Sequence, residues 1–103
     1  MGHKKFAKQS NVQLQKYIRV QAANSANVVI LTHASSQMVV RKVSRMEVIE
    51  CLRNGMIGRT PEPDDKGSLR CRMEHFIAGR NCMAIVALSD EAADLIIVTV
   101  MTA

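Results

Sequence analysis

Residues Thr32 to Gly55 read T-H-A-S-S-Q-M-V-V-R-K-V-S-R-M-E-V-I-E-C-L-R-N-G, and the fold turns on them. Ser44-Arg45-Met46-Glu47 is a capping box. The Ser44 hydroxyl can accept from the Glu47 N–H while the Glu47 carboxylate reaches back to Ser44. Val43 before the cap and Val48 after it are placed to form a hydrophobic staple. The spacing predicts a helix over 45–54, with Met46, Ile49 and Leu52 facing the core. Gly55, after Asn54, stands where a left-handed helix stop is wanted. Upstream, Thr32 can cap a shorter helix from His33 to Arg41. His33, Gln37 and Arg41 are four apart and share one helical face, with Ala34 and Met38 on the adjoining side toward the core.

Toward the amino terminus, Val28 to Leu31 is short and β-branched and reads as a buried strand. Asn24 to Asn27 is a break. Before it, Ser10 or Asn11 can cap a helix reaching about Asn24. Leu14, Ile18 and Ala22 give that helix a narrow apolar stripe, with Tyr17 beside it, so it docks on the domain surface or on a partner chain. Met1 to Gln9 reads as a disordered basic arm. Residues 1–27 thus form an arm and extra helix, and 28–103 the main domain.

Toward the carboxyl terminus, Met56 to Thr60 is a short strand candidate and Pro61 to Gly67 a turn-rich loop. Asp64 and Asp65 read as solvated turn residues. Ser68 to Ile77 alternates, with Leu69, Cys71, Met73, His75 and Ile77 on one face and Arg70, Arg72, Glu74 and Phe76 on the other. Ala78-Gly79 can turn a hairpin, and Asn81 to Leu88 is the return strand. Asp94 to Met101 is almost continuously apolar, which suits a central strand covered on both faces. Helix, strand, two helices and about four strands predict an α+β domain: helices packed on one face of an antiparallel sheet of about four to five strands.

Composition narrows the partners. The chain has 103 residues, 48% of them hydrophobic, but its aromatics are only Phe6, Tyr17 and Phe76, so the core is aliphatic and methionine-rich. The net charge is +5, and no acid precedes Glu47. Such asymmetry points to an anionic partner, nucleic acid first, against the alternative of a solvated basic surface. Cys51, Cys71 and Cys82 are odd in number, lack a C-x-x-C and lie in apolar segments. They fit free thiols in a reducing cytoplasm. The histidines are scattered, so neither metal nor cofactor is implied. No apolar run approaches the roughly 18 residues of a membrane span.

Arg70 and Arg72 are the sharpest binding candidates. At i and i+2 on a strand they project from one face, roughly 7 Å apart, a spacing that suits successive phosphates. Arg41 or Arg45 brought nearby would make a basic patch. The competing reading pairs Arg70 and Arg72 with Glu74 or with the Asp64/Asp65 loop. His33 can act as a general acid or base or contact phosphate, against a structural role at the sheet edge. His75 falls on the apolar face of its strand. No Ser-His-Asp or Cys-His arrangement and no Gly-rich phosphate loop can be assembled, and the aromatics are too few for a base-stacking platform.

One pattern extends beyond local chemistry. His33-Ala34 near a strand end, then Met38, Arg41, Ser44, a helix ending in Asn54-Gly55, and a final Ile97-Val98-Thr99-Val100 strand resemble a family of small bacterial domains of unassigned function. The resemblance covers about 30–101. That family is similar in layout to the RelE-type and BrnT-type toxins of toxin–antitoxin pairs, small basic ribonucleases that hold RNA on a curved antiparallel sheet. The resemblance implies an RNA-interacting domain, active on RNA or at the ribosome and neutralised by a cognate antitoxin. Arg41, Arg45, Arg70 and Arg72 would hold phosphate. His33 or Glu74 would carry the proton as a 2′-hydroxyl attacks the adjacent phosphate, without a metal. Two features depart from the toxins: the chain lacks their aromatic residues and basic or tyrosine tail, and it carries the extra helix. A binding-only relative, a basic module for protein or nucleic acid, is the alternative. A homodimer through the extra helix or a strand edge is a further expectation.

Overall fold

The helix that Ser44 begins runs from Arg45 to Asn54, and both halves of its capping box form: Ser44 Oγ accepts from Glu47 N at 3.1 Å, and Glu47 Oε1 accepts from Ser44 N at 2.9 Å. The structure is a computed structural model that describes residues 6–77 and 79–103. Its elements in chain order are α1 (Asn11–Ala22), β1 (Val28–Ile30), α2 (Thr32–Arg41), α3 (Arg45–Asn54), β2 (Met56–Ile57), β3 (Glu62–Pro63), β4 (Leu69–Ile77), β5 (Arg80–Leu88) and β6 (Leu95–Thr102). The α+β class is as expected.

The sheet departs from the expected antiparallel pattern at one edge. Its order is β1-β6-β5-β4-β2, with β3 also on β4, six strands in all. β4, β5 and β6 form an antiparallel meander, but β1 pairs with β6 in parallel. Parallel neighbours need a long connection. β1 and β6 have one, since α2, α3 and the whole meander lie between them. β2 and β3 are two short pieces laid one after the other along the same edge of β4. The extra strand count thus comes from a loop that zips briefly onto β4.

Strand alternation divides the sheet into two faces. Leu69, Cys71 and Met73 of β4, Ala84, Val86 and Leu88 of β5, and Leu95, Ile97 and Val100 of β6 are buried in one core. Against them lie Val48, Ile49, Cys51 and Leu52 of α3 and Ala34 of α2. The α3 stripe runs through those four residues, so Met46 falls on the far side of the helix, 63% exposed, contrary to its expected core position. Among the described residues, no helix packs on the opposite sheet face. β6 therefore alternates between buried and partly exposed residues and is not covered on both faces. β5, between β6 and β4, is the strand most buried along its length. A bulge at Ile85/Val86 inserts one extra β6 residue, Val98, into that pairing.

Three boundaries shift for local reasons. Leu31, in extended backbone, precedes the first turn of α2, and Thr32 lies inside the helix instead of capping it. Gly55 ends α3 in extended backbone, φ −80°, not left-handed. Its need for glycine is steric: a Cβ there would run into the carbonyl oxygen of Cys51 and stand 2.6 Å from that of Glu74. The basic arm is anchored within the described residues. Phe6 opens a single 3₁₀ turn, is 3% exposed, and sets its ring at a tilt against Tyr17, centroids 4.8 Å apart. Met1 to Lys5 of that arm, and Ala78 of the hairpin turn, lie outside the described residues. Gly79 has φ +81°, and Ile77 pairs with Arg80 across the turn. The extra helix docks on its own chain: Leu14, Ile18 and Ala22 join the main core, and Gln15 Oε1 accepts from Ile57 N at 2.9 Å.

Candidate functional site

The uncovered sheet face carries the residues with the most chemistry. Strand alternation on β4 aims Arg70, Arg72, Glu74 and Phe76 at it, opposite Ala87, Ile85, Met83 and Asn81 of β5. Each arginine already has a carboxylate. Arg70 Nε lies 3.2 Å from Asp64 Oδ2, with the Arg70 side chain 45% exposed and that of Asp64 10%. Asp64 also accepts from the Lys66 and Ser68 N–H groups, which builds the turn from Asp64 to Ser68. Burial opposes the charge on Asp64, but the two N–H donors and Arg70 outweigh it and hold the carboxyl below its usual range. Asp64 is therefore a turn organiser tied to Arg70 more than a solvated tip residue, while Asp65 is exposed.

Arg72 lies flat on the sheet. Its Nε is 3.1 Å from Glu74 Oε2, close enough for ion pairing, yet misaligned so that the Nε–H has no hydrogen-bond acceptor. Its Nη2 rests 2.6 Å from the Met83 sulfur. Glu74 is shared: Asn81 Nδ2 stands 3.5 Å from Oε1. Just past β2, Gly58 donates its N–H to the Arg72 carbonyl, and the Glu74 carboxylate occupies the space where a side chain on Gly58 would stand. Gly58 is thus what lets Glu74 lie beside Arg72, a role the sequence did not signal.

The other candidates lie elsewhere. α2 packs on β6, and β5 stands between β6 and β4. Ala34 of α2 joins the helix-covered core, so His33 and Arg41, both exposed on α2, lie on the other side of the sheet from Arg70 and Arg72, and no hydrogen bond or ion pair among the described residues joins the two pairs. Gln37, between His33 and Arg41 on the same face, accepts from Val100 N at 2.9 Å. It satisfies the β6 edge where β1 has ended. Arg45 is committed to backbone, donating to the Ser25 and Val28 carbonyls at 3.1 and 3.2 Å. His75 is half-buried on the helix-facing side of β4.

Arg80 was missed in the sequence. It donates to the carbonyls of Arg41 and Lys42 at 2.7 and 2.6 Å and pairs with Glu47 at 3.1 Å. Lys42 occupies the left-handed region at φ 56°, so Arg80 locks the α2–α3 junction. The cysteines are free and buried. Cys51 shares a hydrogen bond with Cys82 and is cut off from water, both of which hold its thiol far above the ordinary range, and burial pushes Cys71 up to about 12. Both are inert packing groups at neutral pH. Among the described residues, no three His, Cys, Asp or Glu side chains gather where a metal could sit, and no helix is long and apolar enough to cross a membrane.

Fold and site together define an α+β domain with one sheet face shielded by helices and the other open and lined with paired charges. Residues 30–102 match the family model described as Domain of unknown function (DUF4258), and the chain belongs to that family. The match takes in His33-Ala34, Met38, Arg41, Ser44, Gly55 and the closing Val98-Thr99-Val100. No curated protein and no solved structure matches the chain.

Proposed function

We propose that the chain is an RNA-interacting domain of RelE-like layout that holds the phosphate backbone along β4, as the toxin half of a toxin–antitoxin pair. The observation that carries this reading is the line of Arg70, Arg72 and Glu74 on the sheet face that no helix covers. A phosphate arriving at Arg70 exchanges one anion for another at an exposed guanidinium, so the Asp64 pair is compatible with binding. The net charge of +5 supplies the long-range attraction. In a cleavage reaction Glu74 is the proton carrier that shares a face with the arginines. It would take the 2′-hydroxyl proton as that oxygen bonds to the adjacent phosphorus, with Arg72 stabilising the charge, while the P–O5′ bond breaks to leave a 2′,3′-cyclic phosphate and a 5′-hydroxyl protonated from water. His33, on the helix-covered side with Arg41, serves binding in this reading.

The Arg72–Glu74 pair favours a second reading, a non-enzymatic module that binds RNA without cutting it. The Glu74 carboxylate is engaged by Arg72 at 3.1 Å and Asn81 at 3.5 Å, where a base must be free to meet the 2′-hydroxyl. Expression in bacteria, with incubation of the purified chain on single-stranded RNA, tests both. Growth arrest relieved by the Arg70→Ala/Arg72→Ala double variant supports the toxin. Salt-sensitive binding without cleavage supports the module. Arrest undiminished in the double variant, or neither binding nor arrest, overturns the β4 assignment.

A further inference from the structure

We propose that Phe76 is a stacking position for one unpaired RNA base, at the end of the arginine line on β4. The proposal rests on the RNA reading above and adds a residue and a ligand class to it. Phe6 and Tyr17 pack against each other at a tilt, whereas Phe76 is 70% exposed on the open face. Strand alternation sets its ring one step beyond Glu74 and two beyond Arg72. Asn81 is its direct cross-strand partner. The Asn81 backbone is tied into the ladder with Ala103, and the side chain reaches only Glu74, at 3.5 Å, so its amide oxygen is open to the edge of a stacked base.

The surroundings favour a nucleic acid over an apolar partner. The open-face positions of β4 that lead up to Phe76 are all charged. At the same end of the sheet, Arg80 holds the backbone of Arg41 and Lys42, whose exposed side chains have no hydrogen bond or carboxylate partner among the described residues. A ring that ends a line carrying two strand guanidiniums is a combination by which proteins hold single strands: charge tracks the backbone and the ring takes a base.

The test is fluorescence anisotropy with a short labelled single-stranded RNA and the duplex of the same sequence, each across a salt series. Phe76→Ala weakens single-strand binding roughly tenfold or more. Phe76→Trp retains it, and Phe76→Leu, which keeps bulk but no π-face, behaves like Phe76→Ala. The salt slope is unchanged by all three, because stacking releases no counterions. Wild type that binds no RNA overturns the RNA reading and this inference together. Wild type that binds while Phe76→Ala binds equally well overturns the stacking position alone, as does equal loss on the duplex. Light scattering that shows Phe76→Ala converting a dimer to a monomer makes the ring a contact between copies, and also overturns it.

Discussion

Arg80 and Glu47 meet at 3.1 Å across the junction of β5 and α3, joining a hairpin to a helix cap 33 residues away. The same guanidinium holds the Arg41 and Lys42 carbonyls, so one side chain fixes the end of α2, the left-handed residue and the start of α3. Arg80→Ala removes these bonds together. It should lower stability by about 1.5–3 kcal/mol, against about 1 kcal/mol for Ser44→Ala, which removes one cap. Urea unfolding of both variants measures the difference.

Acid should weaken that junction in a defined direction. The Ser44 N–H, then Arg80, hold the Glu47 carboxyl below its usual range. A carboxyl with a lowered folded-state pKa contributes fully above its unfolded value, roughly 4.3, and loses the contribution as pH falls through the folded value. Asp64 behaves likewise. Stability should therefore fall as pH drops from 5 toward 3. Glu47→Gln and Asp64→Asn should each be less stable at pH 6 and fall less on acidification, as urea midpoints at several pH values will record.

Two glycines should respond very differently to the same change. In Gly55→Ala the new methyl meets two carbonyl oxygens, of Cys51 and Glu74, neither free to move. The cost should approach about 3 kcal/mol. In Gly58→Ala the methyl meets only the end of the Glu74 side chain, which can swing away. That variant should fold with a loss below about 1 kcal/mol and free Arg72 from Glu74. Thermal unfolding separates the two.

The segment outside the family match is part of the core. Leu14, Ile18 and Ala22 are buried with α3 and the sheet, and Phe6 is buried beside Tyr17. Phe6→Ala should cost about 3 kcal/mol. A chain beginning at Val28 should lose its cooperative unfolding transition, which circular dichroism on heating will reveal.

How much of this was legible depends on how local each cause is. The Ser44 capping box involves residues three apart, and the sequence specified it fully. The α1 stripe and the β4 alternation were equally readable, because each is a periodicity within one element. The parallel partner of β1 was not, since β-branched Val28-Val29-Ile30 carries no sign of strand direction. The apolar run from Leu95 to Met101 suggested cover on both faces, but hydrophobicity does not say whether the second layer comes from the same chain. Arg70 and Arg72 were placed on one face, and their competing partners, Asp64 and Glu74, were both anticipated. Whether His33 and Arg41 reach them depended on which face of the sheet α2 covers, and it is the face opposite Arg70 and Arg72. Arg80 and Gly58 act through residues far off in sequence, and neither has a local signature.

The salt dependence of RNA binding tests the role of β4 most directly. Affinity for single-stranded RNA should fall with ionic strength, and Arg70→Ala/Arg72→Ala should lower the log–log slope by about 1.4, two phosphate contacts at roughly 0.7 each. Binding by the double variant with the slope and affinity of wild type would contradict the claim that the open face of β4 holds the backbone.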